Sequence, residues 1–137
     1  MGASEPIWSR KAPESRQPRL TLAKIKSAKV KPPFIIVFPD KQRYSIQTWK
    51  ELLTSVVEWL VKTGRLTEKR LPLKTPRSTK RYIVNTSPKH PTGTDFREPK
   101  SVLGVYVETA IDIKRITYYL LREFGVDPDS VVVEAGS

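Results

Sequence analysis

Residues 48–64 read TWKELLTSVVEWLVKTG, and the fold is decided by how this stretch is read. Thr48 and Glu51 form a capping box, in which the threonine oxygen accepts from the third helical N–H and the glutamate reaches back toward the cap. Trp49, Leu52, Leu53, Val56, Val57 and Leu60 follow i, i+3, i+4 spacing and make one apolar stripe. Gly64 supplies the left-handed C-terminal cap. The spacing predicts an amphipathic helix over residues 48–63. Trp59 falls about 90° from the centre of the stripe, so it is expected to be half-exposed.

Outward from this helix, the chain alternates between short strands and turns. Phe34-Ile35-Ile36-Val37-Phe38 is an apolar run that Pro39-Asp40 ends, and Arg43–Ile46 is placed to pair with it across a turn. Downstream, residues 65–80 form a Pro-punctuated basic connection, and Arg81–Val84 reads as a strand. Residues 85–100 hold three prolines and read as a long polar loop, a length that is usually functional or disordered. Ser101–Glu108 reads as one strand with Gly104 at a bulge or turn. Thr109 is expected to cap a second helix over about 110–124, with Asp112 near its positive end. Ile113, Ile116, Leu120, Leu121 and Phe124 are its core face, Gly125 stops it, and Ser130–Val133 is a last strand. The expected fold class is α+β, with two amphipathic helices packed on a mostly antiparallel sheet.

The chain has 137 residues and a net charge of +11. The charge is concentrated. Residues 1–32 carry eight Lys/Arg against two acids, and residues 62–81 carry eight against one. Residues 33–61 balance, and residues 82–137 are slightly acidic. Two basic blocks of this kind are the electrostatic footprint of a polyanion binder. Residues 1–32 hold four prolines and few large apolar groups, so they are expected to form a flexible basic arm on a binding domain spanning 33–137. Leu20–Val30 has a faint apolar pattern suited to ordering on binding.

Cysteine is absent, which excludes disulfides, thiolate nucleophiles and Cys-based metal sites. His90 is the only histidine, so multi-histidine metal sites are excluded as well. The scarcity of Asn, Met and Cys fits a thermophilic source. There is no apolar run long enough for a membrane span and no signal-like N-terminus, so the expected compartment is the cytoplasm. Pro6 occupies the position where a myristoylation signal needs Ser or Thr.

Several aromatic and basic sets are candidates for contact with nucleic acid. On the second helix, Ile111, Arg115, Tyr118, Tyr119 and Arg122 fall together opposite the core stripe. They suit either base stacking with phosphate neutralisation or a contact between subunits. Tyr82 and Tyr106 stand on strands, where an open sheet face stacks bases, although aromatics also favour strands for packing alone. Phe96 and Arg97 in the long loop are either a contact pair or an anchor for the loop. Lys62, Arg65, Lys69, Arg70, Lys74, Arg77, Lys80 and Arg81 recur every few residues and are expected to line a basic rim. Trp59 and His90 complete the candidate set.

Enzymatic readings fare poorly. Asp95, Glu98 and Lys100 superficially match a metal-dependent nuclease triad, but only two residues separate the acids and Pro99 interrupts the Glu-x-Lys. His90 near Thr86 and Ser87 lacks a third orienting group. There is no Gly-rich phosphate loop and no duplex-reading motif. The protein is therefore expected to be no enzyme and to need no cofactor or metal.

The pattern Arg81-Tyr-Ile-Val-Asn-Thr, Pro88-x-His90, Phe96-x-x-Pro99, Tyr106-x-Glu108-Thr109 and Phe124-Gly-Val-Asp-Pro resembles the ThermoDBP-related single-stranded DNA-binding proteins of thermophilic archaea. The resemblance covers about residues 34–134. It implies a small α+β domain with a cleft of apolar and aromatic groups, rimmed by basic residues, that takes extended single strands. Some members carry a C-terminal helical zipper. Here the sequence reads Val133-Glu-Ala-Gly-Ser with no heptad, so the expected homodimer would use another surface such as Tyr118/Tyr119. The expected partner is single-stranded DNA or RNA. The alternatives are a ribosome-associated basic protein that inserts among RNA helices and an interaction module for an acidic protein partner.

Overall fold

The computed structural model describes residues 20–25, 30–75, 81–91 and 93–135. Seven strands and two helices follow in the order β1 (Phe34–Val37), β2 (Arg43–Ile46), α1 (Trp49–Lys62), β3 (Leu73–Lys74), β4 (Tyr82–Asn85), β5 (Pro99–Val102), β6 (Val105–Glu108), α2 (Ile113–Glu123) and β7 (Val132–Ala135). The fold class is α+β, as the periodicities imply. The sheet, however, is divided in two. One sheet has the order β2-β1-β7 and the other β3-β4-β6-β5, and every pairing is antiparallel.

Helix α1 forms where the capping box places it. Thr48 Oγ1 accepts from Glu51 N–H at 3.4 Å, and Glu51 Oε1 accepts at 2.6 Å from Gln47 N–H, one residue before the cap. Leu52, Leu53, Val56, Val57 and Leu60 are buried to the last percent. The helix packs against α2 and touches β2 of one sheet and β5 of the other, so both sheets share one apolar core.

Several expectations need correction. Trp59 is 1% exposed, not half-exposed. Its ring stacks on Phe38 at 4.2 Å with a 7° interplanar angle, and its Nε1–H donates to Asp40 Oδ2 at 3.0 Å. The turn after β1 folds Phe38 over the flank of α1 and widens the buried arc beyond the stripe. Residues 101–108 are not one strand. Leu103 (φ 46°) and Gly104 (φ 87°) make a two-residue turn that pairs Val102 with Val105. Two successive left-handed residues match the twist of a tight hairpin, but Leu-Gly lacks the Asn-Gly signature by which such turns are recognised.

The second helix is shorter than the span 110–124. Asp112, not Thr109, is its N-cap and accepts from Arg115 N–H at 3.3 Å. Thr109 Oγ1 instead donates to the Glu98 carbonyl at 2.8 Å, which holds the β6 end against the long loop. Ile111 precedes the helix and packs against the core.

Within the stretch assigned to the arm, residues 20–25 are docked. Leu22 and Ile25 are core residues at 1% and 2% exposure. Leu22 N–H donates to the Val131 carbonyl at 3.0 Å, and Val133 N–H donates to the Leu20 carbonyl at 2.8 Å. A short apolar spacing among lysines is enough to add this segment beside β7. Residues 1–19 and 26–29 of the expected arm lie outside the described residues.

Candidate nucleic-acid interface

The loop between β4 and β5 folds back on the start of β4. Lys89 and Asp95 form a backbone bridge, and His90 N–H donates to the Thr94 carbonyl at 2.7 Å. Phe96 N–H then donates to the Pro88 carbonyl at 2.9 Å. The buried Phe96 ring meets His90 edge-on, at 4.8 Å between centroids and 67° between planes. His90 Nδ1 accepts from the Tyr82 backbone N–H at 3.1 Å, and the two rings lie 6.3 Å apart. An accepting Nδ1 leaves the ring proton on Nε2.

Glu108, at the end of β6, clamps the loop from below. Its buried carboxylate accepts three backbone N–H groups, those of Arg97 (2.8 Å), Glu98 (3.0 Å) and Ala110 (3.0 Å). Burial acts to raise its pKa, but the hydrogen bonds from Arg97, Ala110 and Glu98 and the Arg97 charge outweigh it, so the carboxyl titrates below its ordinary value. The Arg97 guanidinium is fixed in turn by a 2.9 Å bond to the Ala110 carbonyl.

These contacts shape a concavity of about 440 Å³ lined by Arg81, Tyr82, His90, Thr94, Asp95, Arg97, Glu108 and Ile111. Two half-buried rings and two arginines face one space with two carboxylates and the Thr94 hydroxyl. Arg81, Tyr82, His90, Thr94, Asp95 and Arg97, spread along a strand and a loop, are thereby gathered at one end of the second sheet.

A second groove, of about 880 Å³, runs along the polar side of α1 and the β5–β6 hairpin. Trp49, Lys50, Lys62, Lys100 and Leu103 line it, together with Glu51 and Glu58. Lys50 pairs with Glu98, the neighbour of Arg97, so an ion pair joins the rims of the two concavities. The sequence reading missed this groove. Its signal was the i, i+4 row Lys50, Thr54, Glu58, Lys62, which reads as an ordinary solvated face until the hairpin is set beside it.

The remaining expected site residues are dispersed. Tyr106 stands opposite Asn85 and Ser101 across three strands. Tyr82 lines the smaller concavity and Tyr106 does not, and a register shift between β3 and β4 interrupts the alternation between Tyr82 and Val84. Trp59 and Phe96 are buried and offer no ring face to a base. Arg65 lies 4.7 Å over the Trp59 ring. Arg70 lies 4.4 Å over Phe124 and pairs with Glu123 at 2.8 Å. Tyr119 packs against the core, with burial first and Glu123 second raising its pKa. It therefore leaves the outer face of α2 to Tyr118 and Arg122, whose NH1 reaches the Tyr118 hydroxyl at 3.4 Å, and to Arg115, 3.8 Å from Asp112. Lys69 and Lys74 are exposed. Arg77 and Lys80 lie outside the described residues.

Of the Asp95, Glu98 and Lys100 set, Glu98 is taken by Lys50 while Asp95 faces the smaller concavity. Among the described residues, no three His, Cys, Asp or Glu side chains are grouped to hold a metal ion, and no helix is long and apolar enough to cross a membrane. Comparison of the chain with protein-family models, curated proteins and solved structures found no match.

Proposed function

We propose that this protein binds single-stranded nucleic acid with little sequence preference, in the cytoplasm, and that the β4 concavity takes the bases. The observation that carries the reading is the convergence of Tyr82 and His90 with Arg81 and Arg97 in one concavity. Stacking on an aromatic ring is available to every base, and arginine beside it neutralises the phosphate. The larger groove continues the path with lysines and the Trp49 and Leu103 side chains.

The distribution of charge supports the same reading. The described acids are largely committed to internal partners. Asp40 holds the Trp59 indole, Glu108 holds three backbone amides, and Glu98, Glu123 and Glu134 are in ion pairs. Lys69, Lys74, Lys89 and Lys100 are exposed and have no carboxylate partner among the described residues. Free cations on a surface whose anions are occupied favour a polyanion. The resemblance to ThermoDBP-related proteins implies the same activity.

The test is a fluorescence-anisotropy titration of oligo-dT against duplex DNA and single-stranded RNA of equal length across a salt series. Single-strand binding that persists at high salt is the expected result. Equal affinity for single strand and duplex, vanishing at moderate salt, would leave only a nonspecific basic surface and end the proposal.

A further inference from the structure

The β4 concavity contains a group that phosphate binding does not need. Asp95 lines it beside Arg81 and Arg97, and its carboxylate has no hydrogen bond or ion pair among the described residues. The contact Asp95 does make is the backbone bridge with Lys89, which leaves the side chain uncommitted. A carboxylate here weakens attraction for a phosphate, so a site built only for backbone contacts would lack it. The adjacent Thr94 adds a hydroxyl, while Tyr82 and His90 supply the ring surface.

We infer that Asp95 reads the Watson–Crick edge of one base in this concavity, and that the base it favours is guanine. The inference rests on the single-strand reading above, because only an unpaired base exposes that edge. A carboxylate takes two parallel N–H donors best. Guanine presents them side by side, as N1–H and the exocyclic N2–H. Cytosine and adenine present one amino group beside a bare ring nitrogen, whose lone pair opposes the second carboxylate oxygen. Thymine presents a single N–H between two carbonyls, both repelled by Asp95. Stacking on Tyr82 and His90 holds the base in plane, with the charges of Arg81 and Arg97 lining the same concavity beside its phosphates. The protein therefore tolerates any sequence along the strand yet prefers guanine at one position in its footprint.

The probes are a dT oligomer, the same oligomer with one central dG, and the same with one central inosine, which keeps the purine and N1–H but lacks the N2 amino group. With wild-type protein the dG oligomer is expected to bind about tenfold tighter than dT, with inosine between them. Asp95→Asn, which preserves the backbone bridge, is expected to bind the dG and inosine probes alike, so that the guanine preference is lost. Equal wild-type affinity for all three probes, with dT tightly bound, would overturn the inference and leave the single-strand reading standing. A guanine preference that survives Asp95→Asn would overturn it as well. Binding to none of the probes would sink both readings together.

Discussion

Two places in this molecule bring arginine against aromatic rings, and they have opposite fates. At the C-terminal end of α1, Arg65 covers Trp59 and Arg70 covers Phe124, with Glu123 completing the contact. The indole N–H there is held by Asp40. At the start of β4, Arg81 and Arg97 stand beside Tyr82 and His90 around an open space, and the Asp95 carboxylate has no hydrogen bond or ion pair among the described residues. The residue types are the same. What differs is whether the rings are closed over by a neighbouring element. The first assembly seals the core, and the second leaves its rings beside an open concavity.

The comparison is tested most severely at Trp59. Trp59→Ala removes the largest fully buried side chain, and about 3–5 kcal/mol of stability should go with it, read as a shift in the urea midpoint. Affinity for oligo-dT, measured where the variant is still folded, should be unchanged. A selective loss of binding instead would place Trp59 in the interface and erase the contrast.

Tyr82→Ala is the counterpart. It should weaken oligo-dT binding by about 1–3 kcal/mol while changing stability less than Trp59→Ala does, with the affinity read by anisotropy. Tyr106→Ala, outside the residues that line the concavity, should leave the affinity within twofold. Equal losses from both would mean that the binding surface extends beyond the concavity to Tyr106.

Glu108 links the open region to pH. Its pKa is lowered on folding, so the stability it contributes is present above its ordinary value of 4.5 and is lost as pH falls through the lower folded value. Glu108→Gln should cost about 1–3 kcal/mol, flatten the acid limb of a stability profile, and loosen the Arg97–Glu98 backbone in hydrogen exchange. An unchanged acid limb would mean that the clamp is not what holds the loop.

The smallest effect belongs to the sealed region's rim. Arg70→Ala should cost about 0.5–1 kcal/mol of stability, since its ion pair and ring contact are partly solvated. Binding should fall only by the loss of one remote charge. A loss as large as that of Tyr82→Ala would move Arg70 from the core's edge into the interface.

Much of the fold was legible because it rests on local rules. Residues 48–64 carried cap, stripe and stop within one segment, and Gly125 ended α2 where expected, at φ 76°. The hairpin at Leu103-Gly104 was not legible, because its turn residues lack the usual chemistry. Nor was the docking of Leu22 and Ile25, since a few apolar residues among lysines declare no partner until β7 lies alongside. The candidate site was half legible. Tyr82, His90 and Arg97 were recognised by type, but the groove beside Lys50 and Lys100 needed the hairpin to exist first.

The sequence by itself determined the composition-level facts: no thiol chemistry, one imidazole, two basic blocks, and two helices whose apolar stripes demand a sheet to cover them. Those properties depend on residue identity and on neighbours within a few positions. Tertiary structure alone decided which aromatics are hidden and which are offered. Trp59 and Tyr82 both belong to short amphipathic elements with an arginine close by, and only the turn that lays Phe38 over one and the loop that stops short of the other distinguishes them. Burial is a property of what arrives from far along the chain, and no local pattern records it.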